Sequence, residues 1–441
     1  MIPTQTTQKL HVAILGFGRE GQSVFTFLKK QPFFKNWRIT VCDTDTRVNV
    51  PRGATAQLGR NYLRHLERFD LIFRSPGVPY ELPELKRARK KGVVFSGATK
   101  LFFERCPATI IGITGTKGKG TTATLLYKIL HAAGKDAYLA GNIGLPPLEI
   151  LSRLTKKSVV VLELSSFQLQ DLEASPQIAV VLDVFPDHQD SHRNLREYYT
   201  AKANIAKYQH PVDKIFFFPA NKMSAWIASK SRGKKYPVTE RGFRLFGLED
   251  LKTKGLHNLR NAVMAAAVAH TLGVPQRTIT QVTRAFRGLE HRLEFVRRIG
   301  QIYFYNDSAS TNPHTAAAAL LAFPSRMKIL IAGGQDKNLN YRPLAQTLKK
   351  LKKEVALVIL VGENKKKIEN AIRAFGVPIK LVSNLKTAVR IAYWSAKKLS
   401  ASGYSLLAVI LSPGATSFDQ FENYADRGKQ FKKLLRRLKS R

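Results

Sequence analysis

Only two of the 441 residues are cysteine, Cys42 and Cys106. Two thiols support neither a disulfide framework nor a zinc cage, so a reducing compartment is expected. Long apolar runs are missing as well, and none approaches the roughly 18 residues that cross a bilayer. The opening "MIPTQTTQKLHVAILGFG" lacks the layout of a signal peptide, because its short apolar stretch passes straight into glycines. These absences predict a soluble cytoplasmic protein with no transmembrane segment. Negative charge is also scarce: 31 Asp and Glu face 72 Lys and Arg, a formal net charge of +41. Such a field attracts polyanions and steers anionic substrates. The basic residues run along the whole chain, as in "KRARKKG", "KKLKKE" and "KKLLRRLKSR". They do not gather with aromatics in one segment, so they read as a solvated surface and no specific nucleic-acid site is expected.

What the chain does have is strand-like runs that end in glycine or a polar turn. They include "HVAILGFG", "ATIIGITG", "SVVVLELSS", "MKILIAGG", "VALVILVGE" and "LLAVILSPG". Short runs rich in Val and Ile are the signature of buried parallel strands. Helical patterns such as "TTATLLYKILHAAG" and "LRNAVMAAAVAHTLG" lie between them. Strands alternating with helices predict an α/β protein with parallel sheets. The strand-to-glycine theme restarts near residues 11, 109 and 327. Three domains follow: a Rossmann-like one over 1–106, a central phosphate-loop domain over 107–292, and a Rossmann-like one over 293–441.

Gly16, Gly18 and Gly21 of "GFGREG" follow a strand and open a helix. Glycines there let backbone amides approach a pyrophosphate at a helix N-terminus. Asp43 ends the next strand, where a ribose-binding acid is expected. An NAD enzyme is the literal reading, and any nucleoside diphosphate satisfies the same physics. In "GITGTKGKGTT", Gly115-Thr116-Lys117-Gly118-Lys119-Gly120-Thr121 reads as a phosphate loop, with Lys119 reaching the β- and γ-phosphates. The usual Ser or Thr after the lysine is Gly120, and the hydroxyls come later, at Thr121 and Thr122. Glu163 ends a buried strand, where a Mg²⁺ ligand beside such a loop belongs. His188 of "DVFPDHQDSH" fits a metal ligand or a turn residue equally well. Lys202 of "YYTAKANI" reads by itself as a solvated surface charge. Asn258 and Asn261 stand at helical spacing, fit to read a base edge. His291 and Arg292, Asp307, Lys337 and Ser417 each sit on polar turns after strands or at a domain joint.

In order along the chain, "GFGREG", "SPGV", "TGTKGKGTT", "GNIG", "LELSSFQL", "DHQDSH", "AKANI", "HNLRN", "EHRLE", "NDSASTN", "GGQDKN" and "SPGATSFDQFENYADRG" resemble the Mur ligases over nearly the whole chain. The "ELSSFQL" strand and the "SFDQF" ending are similar to those of the D-glutamate-adding branch. The resemblance implies an ATP-dependent ligase that joins D-glutamate to UDP-N-acetylmuramoyl-L-alanine through an acyl phosphate. It implies that Gly16, Gly18, Gly21, Asp43 and the Ser75-Pro76-Gly77 turn embrace uridine diphosphate. Asn142 would contact the substrate. Glu163 and His188 become Mg²⁺ ligands, and Lys202 matches a lysine carried as a carbamate that bridges to a second Mg²⁺. Asn258 and Asn261 fall at the adenine, and Arg292 and Asp307 in the nucleotide site. Lys337, Ser417, Phe418 and Tyr424 would hold D-glutamate. A monomer is expected. Two positions depart from the family pattern: Gly120 stands where many members carry a hydroxyl, leaving Thr121 or Thr122 to reach magnesium or the backbone amides to carry more of the binding, and Ala309 where some carry lysine. Other readings remain: a Mur or folylpolyglutamate relative with another acceptor, a nucleic-acid-stimulated ATPase, or a dehydrogenase.

Overall fold

The computed structural model describes residues 9–186, 192–242, 245–253, 256–337 and 339–438. Two compact units are present, one ending at Phe286 and the other beginning at Arg287. The first unit holds two sheets. Strands β1 (Leu10–Leu15), β2 (Trp37–Asp43), β3 (Ala54–Leu58), β4 (Leu71–Arg74) and β5 (Val94–Ser96) form a parallel sheet in the order β3-β2-β1-β4-β5. Strands β6 (Thr109–Thr114), β7 (Ala137–Gly141), β8 (Val159–Glu163), β9 (Ile178–Val181), β10 (Lys214–Phe217) and β11 (Lys234–Pro237) form a second, in the order β11-β10-β9-β6-β8-β7. It too is wholly parallel.

The second unit holds β12 (Glu294–Ile299), β13 (Ile302–Asn306), β14 (Lys328–Ala332), β15 (Val355–Leu360), β16 (Ile379–Leu381) and β17 (Leu407–Leu411). Their order is β12-β13-β17-β14-β15-β16. The chain is thus an α/β protein with a Rossmann-like N-terminal sheet, a central phosphate-loop sheet and a Rossmann-like C-terminal sheet. One pair departs from the parallel expectation: β12 and β13 run antiparallel. Only Gly300 and Gln301 separate them, and Gly300 sits at φ +56°. A two-residue link can return the chain only antiparallel.

In open parallel sheets, ligands bind beyond the carboxyl ends of strands where the strand order reverses. These sheets have three such points. In the first, the loops after β1 and β4 face each other. In the second, the loop after β6 lies between β8 and β9. In the third, the loops after β14 and β17 are neighbours. The glycine motifs read from the sequence occupy these loops, so the topology explains their positions.

The central sheet is covered by two helices that matter for the site. The phosphate loop runs into the helix Lys119–Ala132, which packs against the helix Leu256–Thr271. Val263, Met264 and Val268 are fully buried there with Ile111 and Ile113 of β6. Burying each such side chain contributes about 1.5–3 kcal/mol, so the second helix is fixed firmly behind the loop. Within the first unit, Arg74 at the end of β4 is 3% exposed. It donates to Asp171 through Nε and Nη2 (3.1 and 3.0 Å) and to the carbonyl of Phe167. Gln168 Nε2 donates to Glu20 Oε1 at 2.7 Å. These bonds join the first sheet's ligand edge to the turn that follows Glu163. No helix among the described residues is long and apolar enough to cross a membrane.

Candidate active site

The first cleft lies between the β1 and β4 loops. It encloses about 440 Å³ between Gly16, Gly18, Asp43, Tyr62 and the Ser75-Pro76-Gly77 turn. Gly16 adopts φ +84°, and a Cβ there would stand 2.9 Å from Ser75 Cβ. A Cβ at Gly21 would come 2.2 Å from the Gly16 carbonyl oxygen. Gly18 caps the following helix, and a Cβ there would meet open space. Two of the three glycines are therefore dictated by close packing, and Gly18 borders the space a ligand would fill. Ser75 Oγ donates to the Gly16 carbonyl at 2.6 Å, which ties the two loops together. Asp43 accepts from the backbone N–H groups of Phe17 (2.6 Å) and Asp45 (2.9 Å). Its carboxylate therefore braces the glycine turn as well as bordering the cleft.

The second site is the phosphate loop. Gly118 has φ +84°, and its missing Cβ would lie 2.2 Å from Asn261 Oδ1. Buried Asn261 thus backs the loop directly, with Asn258 on the same face one turn earlier. Lys119 Nζ donates to the carbonyls of Gly115 (3.0 Å) and Thr116 (3.1 Å), folded over the loop. Thr116 Oγ1 accepts from Phe185 N at 2.8 Å and lies 2.9 Å from Tyr198 Oη. Lys117 is exposed, Gly120 is buried and Thr121 is half-buried. Thr122 turns into the core, where its Oγ1 finds no partner among the described residues. Of the two hydroxyls after Gly120, only that of Thr121 faces outward.

Glu163 ends β8 and is 2% exposed. Its Oε1 accepts from Asn142 Nδ2 at 3.3 Å, and its Oε2 is buried with no partner among the described residues. A buried carboxylate oxygen left without a donor is costly. A cation at that oxygen would remove the cost, so Glu163 fits a magnesium ligand. Lys202 overturns the reading of a solvated charge. It lies on the buried face of the helix Leu195–Lys207, which Asn194 caps by accepting from Glu197 N. Its Nζ donates to the Gly115 carbonyl at 2.9 Å and to Thr114 Oγ1 at 3.3 Å. The sequence signal for burial was present in Tyr198, Lys202 and Ile205–Ala206 sharing one helical stripe. His188 lies outside the described residues.

In the second unit, Asp307 follows β13 and is 8% exposed. Its Oδ2 accepts from Ser412 Oγ at 2.7 Å, and its Oδ1 accepts from Leu293 N at 3.1 Å. Arg292 is exposed between His291 and Leu293, which both hold positive φ. Lys337 Nζ stands 5.6 Å from the Phe418 ring centre. Ser417 is buried, whereas Phe418 and Tyr424 are 59% and 47% exposed. Ser308 Oγ donates to the Tyr424 carbonyl at 2.7 Å. Arg427 was missed by sequence reasoning. Buried, it donates to Ser308 and to the Ala415 carbonyl, binding the loop after β13 to the loop after β17. Burial holds its guanidinium down at about 10.

Burial raises the Asp307 carboxyl from its ordinary value near 3.8 to about 6. Below the lower value both folded and unfolded chains are protonated there. Above the upper one both are ionised, and the folded anion is disfavoured by roughly 3 kcal/mol. Asp307→Asn keeps the shape and removes the titration. Relative to wild type, the variant should gain stability as pH rises from about 4 to about 7, by roughly 2–3 kcal/mol. Denaturant unfolding of both chains across that range measures it, and a constant difference would assign the titration to another group.

Three family models match the chain: Mur ligase MurD-like, N-terminal domain, at residues 10–97; Mur ligase middle domain, at 113–269; and Mur ligase, glutamate ligase domain, at 291–401. The chain is 35% identical to the UDP-N-acetylmuramoylalanine--D-glutamate ligase of Symbiobacterium thermophilum, covering 97% of this chain and 98% of that protein. It is 33% identical to the protein of the same name in Clostridium tetani, covering 97% and 96%. Among solved structures, MurF from Acinetobacter baumannii aligns over 90% of this chain and 86% of its own, with a TM-score of 0.57 at 15% identity. UDP-N-acetylmuramate-alanine ligase MurC from Thermotoga maritima aligns over 97% and 99%, with a TM-score of 0.55 at 16% identity. At such identities the structural matches speak for the fold alone.

Proposed function

The chain belongs to the Mur ligase family, and from that premise we propose that it is the ATP-dependent ligase that adds D-glutamate to UDP-N-acetylmuramoyl-L-alanine, a step in peptidoglycan precursor synthesis. The observation that carries the catalytic part is Glu163 Oε2, buried and without a donor among the described residues at the strand end beside the phosphate loop.

In this reading the L-alanyl carboxylate attacks the γ-phosphate of ATP, releasing ADP and forming an acyl phosphate. The amine of D-glutamate then attacks that carbonyl, and phosphate leaves. A carboxylate and a triphosphate repel, so the protein must offset charge and hold the line of attack. Lys119 and the amides of residues 115–121 hold the phosphates. Thr121, Glu163, His188 and Lys202 are the residues that would hold Mg²⁺, which supplies the remaining positive charge. A lysine amine is a poor Mg²⁺ ligand, because that ion prefers hard oxygen donors. Addition of CO₂ to the neutral Lys202 amine, with loss of one proton, gives a carbamate whose oxygens meet that preference. Asn258 and Asn261 are assigned to the adenine, and Arg292 and Asp307 to the nucleotide. Gly16, Gly18, Gly21, Asp43 and Ser75 are assigned to the uridine diphosphate, with Asn142 on the muramoyl substrate. Lys337, Ser417, Phe418 and Tyr424 are assigned to D-glutamate. The domain division 1–106, 107–292 and 293–441, a monomeric state and a cytoplasmic location belong to the same proposal.

ADP release with UDP-N-acetylmuramoyl-L-alanine and a panel of acceptors tests it. Turnover should require D-glutamate and fall at least about tenfold with L-glutamate, a difference of ~1.4 kcal/mol. Preference for a diamino acid, or turnover only with folates, would replace this acceptor assignment by another in the family. Stimulation by DNA or RNA in place of the UDP substrate would overturn the ligase reading.

A further inference from the structure

Four of the chain's basic residues border one concave place that the ligase chemistry does not use. In the second unit, the helices Leu385–Ala401 and Tyr424–Arg436 flank a groove of about 720 Å³. Lys386 lines one wall, and Lys429, Lys433 and Arg437 line the other. All four are exposed. None forms an ion pair among the described residues, whereas neighbouring Lys432 is engaged by Glu290 and Glu294. The one carboxylate in the lining, Asp426, accepts from Gln430 Nε2 at 3.1 Å on each oxygen. The floor is apolar, made by buried Leu385 and half-buried Phe421 and Leu434.

We propose that this groove docks an amphipathic helix with an acidic flank, presented by a protein partner. Lys429, Lys433 and Arg437 stand at i, i+4 and i+8. Helical geometry therefore spaces them about 6 Å apart over about 12 Å. A second helix with Glu or Asp every fourth residue repeats at the same interval, so each cation meets a carboxylate. The apolar floor takes the same helix's Leu or Ile face, as in other helix-in-groove recognition. Lys386 on the opposite wall fixes the helix from its other flank. A single nucleic-acid strand fits less well, because it needs successive aromatic faces for its bases. The floor offers only the half-buried ring of Phe421. A flat anionic surface cannot reach an apolar floor below a cationic rim.

The test uses the full chain and a fluorescein-labelled synthetic 18-residue helix. The peptide carries Leu on one face and Glu at every fourth position of the flank. Fluorescence anisotropy should give saturable binding that weakens at least tenfold in the Lys386→Glu, Lys433→Glu, Arg437→Glu triple variant. A control with equal charge change elsewhere, Lys29→Glu, Lys30→Glu and Lys35→Glu, should weaken it less than threefold. A shuffled peptide of the same composition should bind at least tenfold more weakly than the ordered one. ADP-release turnover of the groove variant should stay at the wild-type level, which separates this site from the ligase assignment. Equal losses in both triple variants, or equal binding of the shuffled peptide, would reduce the groove to diffuse surface charge. A 12-nucleotide single-stranded DNA that bound more tightly than the peptide, and lost that binding in the groove variant, would make nucleic acid the occupant.

Discussion

Glu163→Gln should lower ADP release roughly 10²–10³-fold while leaving the fold as stable as before or more so. The loss follows from Oε2, which has no donor among the described residues. A preorganised group aimed at developing charge is typically worth that factor, or about 2.7–4 kcal/mol. The amide keeps the shape, and its oxygen still accepts from Asn142 Nδ2. Its nitrogen, however, turns an N–H toward the place where the carboxylate would meet a cation. Stability should move the other way, because burying a carboxylate oxygen with no donor among the described residues is more costly than burying an amide. Opposite signs for activity and stability are the signature of a functional residue, and thermal unfolding beside the ADP assay reads both. Activity within threefold of wild type would remove Glu163 from the metal site.

The parallel α/β architecture was legible because buried parallel strands need continuous Val and Ile runs, as in "VVVLE" and "LAVIL". The glycines after β1 and β6 were legible for a related reason. Close approaches such as Gly21 to the Gly16 carbonyl, or Gly118 to Asn261, exclude any Cβ, so the residue type itself records the contact. What escaped reading was whatever depends on pairing distant segments. Arg74 could not be matched to Asp171 across 97 residues, nor Arg427 to Ser308 across 119, because an isolated arginine in sequence carries no partner. The β12–β13 hairpin escaped because "EFVRRI" alternates poorly and its short turn is the stronger signal. The burial of Lys202 lay between these cases. Its helical stripe was readable, yet a lysine on an apolar stripe usually extends its charge to water. Here the charge has no such route, because the loop above supplies Gly115 O and Thr114 Oγ1 as acceptors.

That burial makes Lys202→Ala the most informative single change. ADP release should fall roughly 10³-fold, and millimolar acetate or propionate should restore a part of it. The argument is geometric and chemical. Truncation at Cβ opens a hole beneath the phosphate loop, bordered by Thr114 Oγ1 and the Gly115 carbonyl, both of which lose the Nζ donor. A short carboxylic acid entering that hole supplies two oxygens where the proposed carbamate would supply its own, and Mg²⁺ prefers such ligands. An ammonium role predicts a different pattern. In that case Lys202→Arg would keep much of the activity, short amines would rescue the alanine variant, and carboxylic acids would inhibit it. Carbamate chemistry predicts that arginine fails, since its guanidinium does not add CO₂, and that wild-type turnover drops in buffer stripped of CO₂ and recovers with bicarbonate. Rescue by acids, failure of arginine and dependence on bicarbonate must occur together. Full activity of the alanine variant in untreated buffer would exclude Lys202 from the reaction, and rescue by amines alone would leave it a simple cation under the loop.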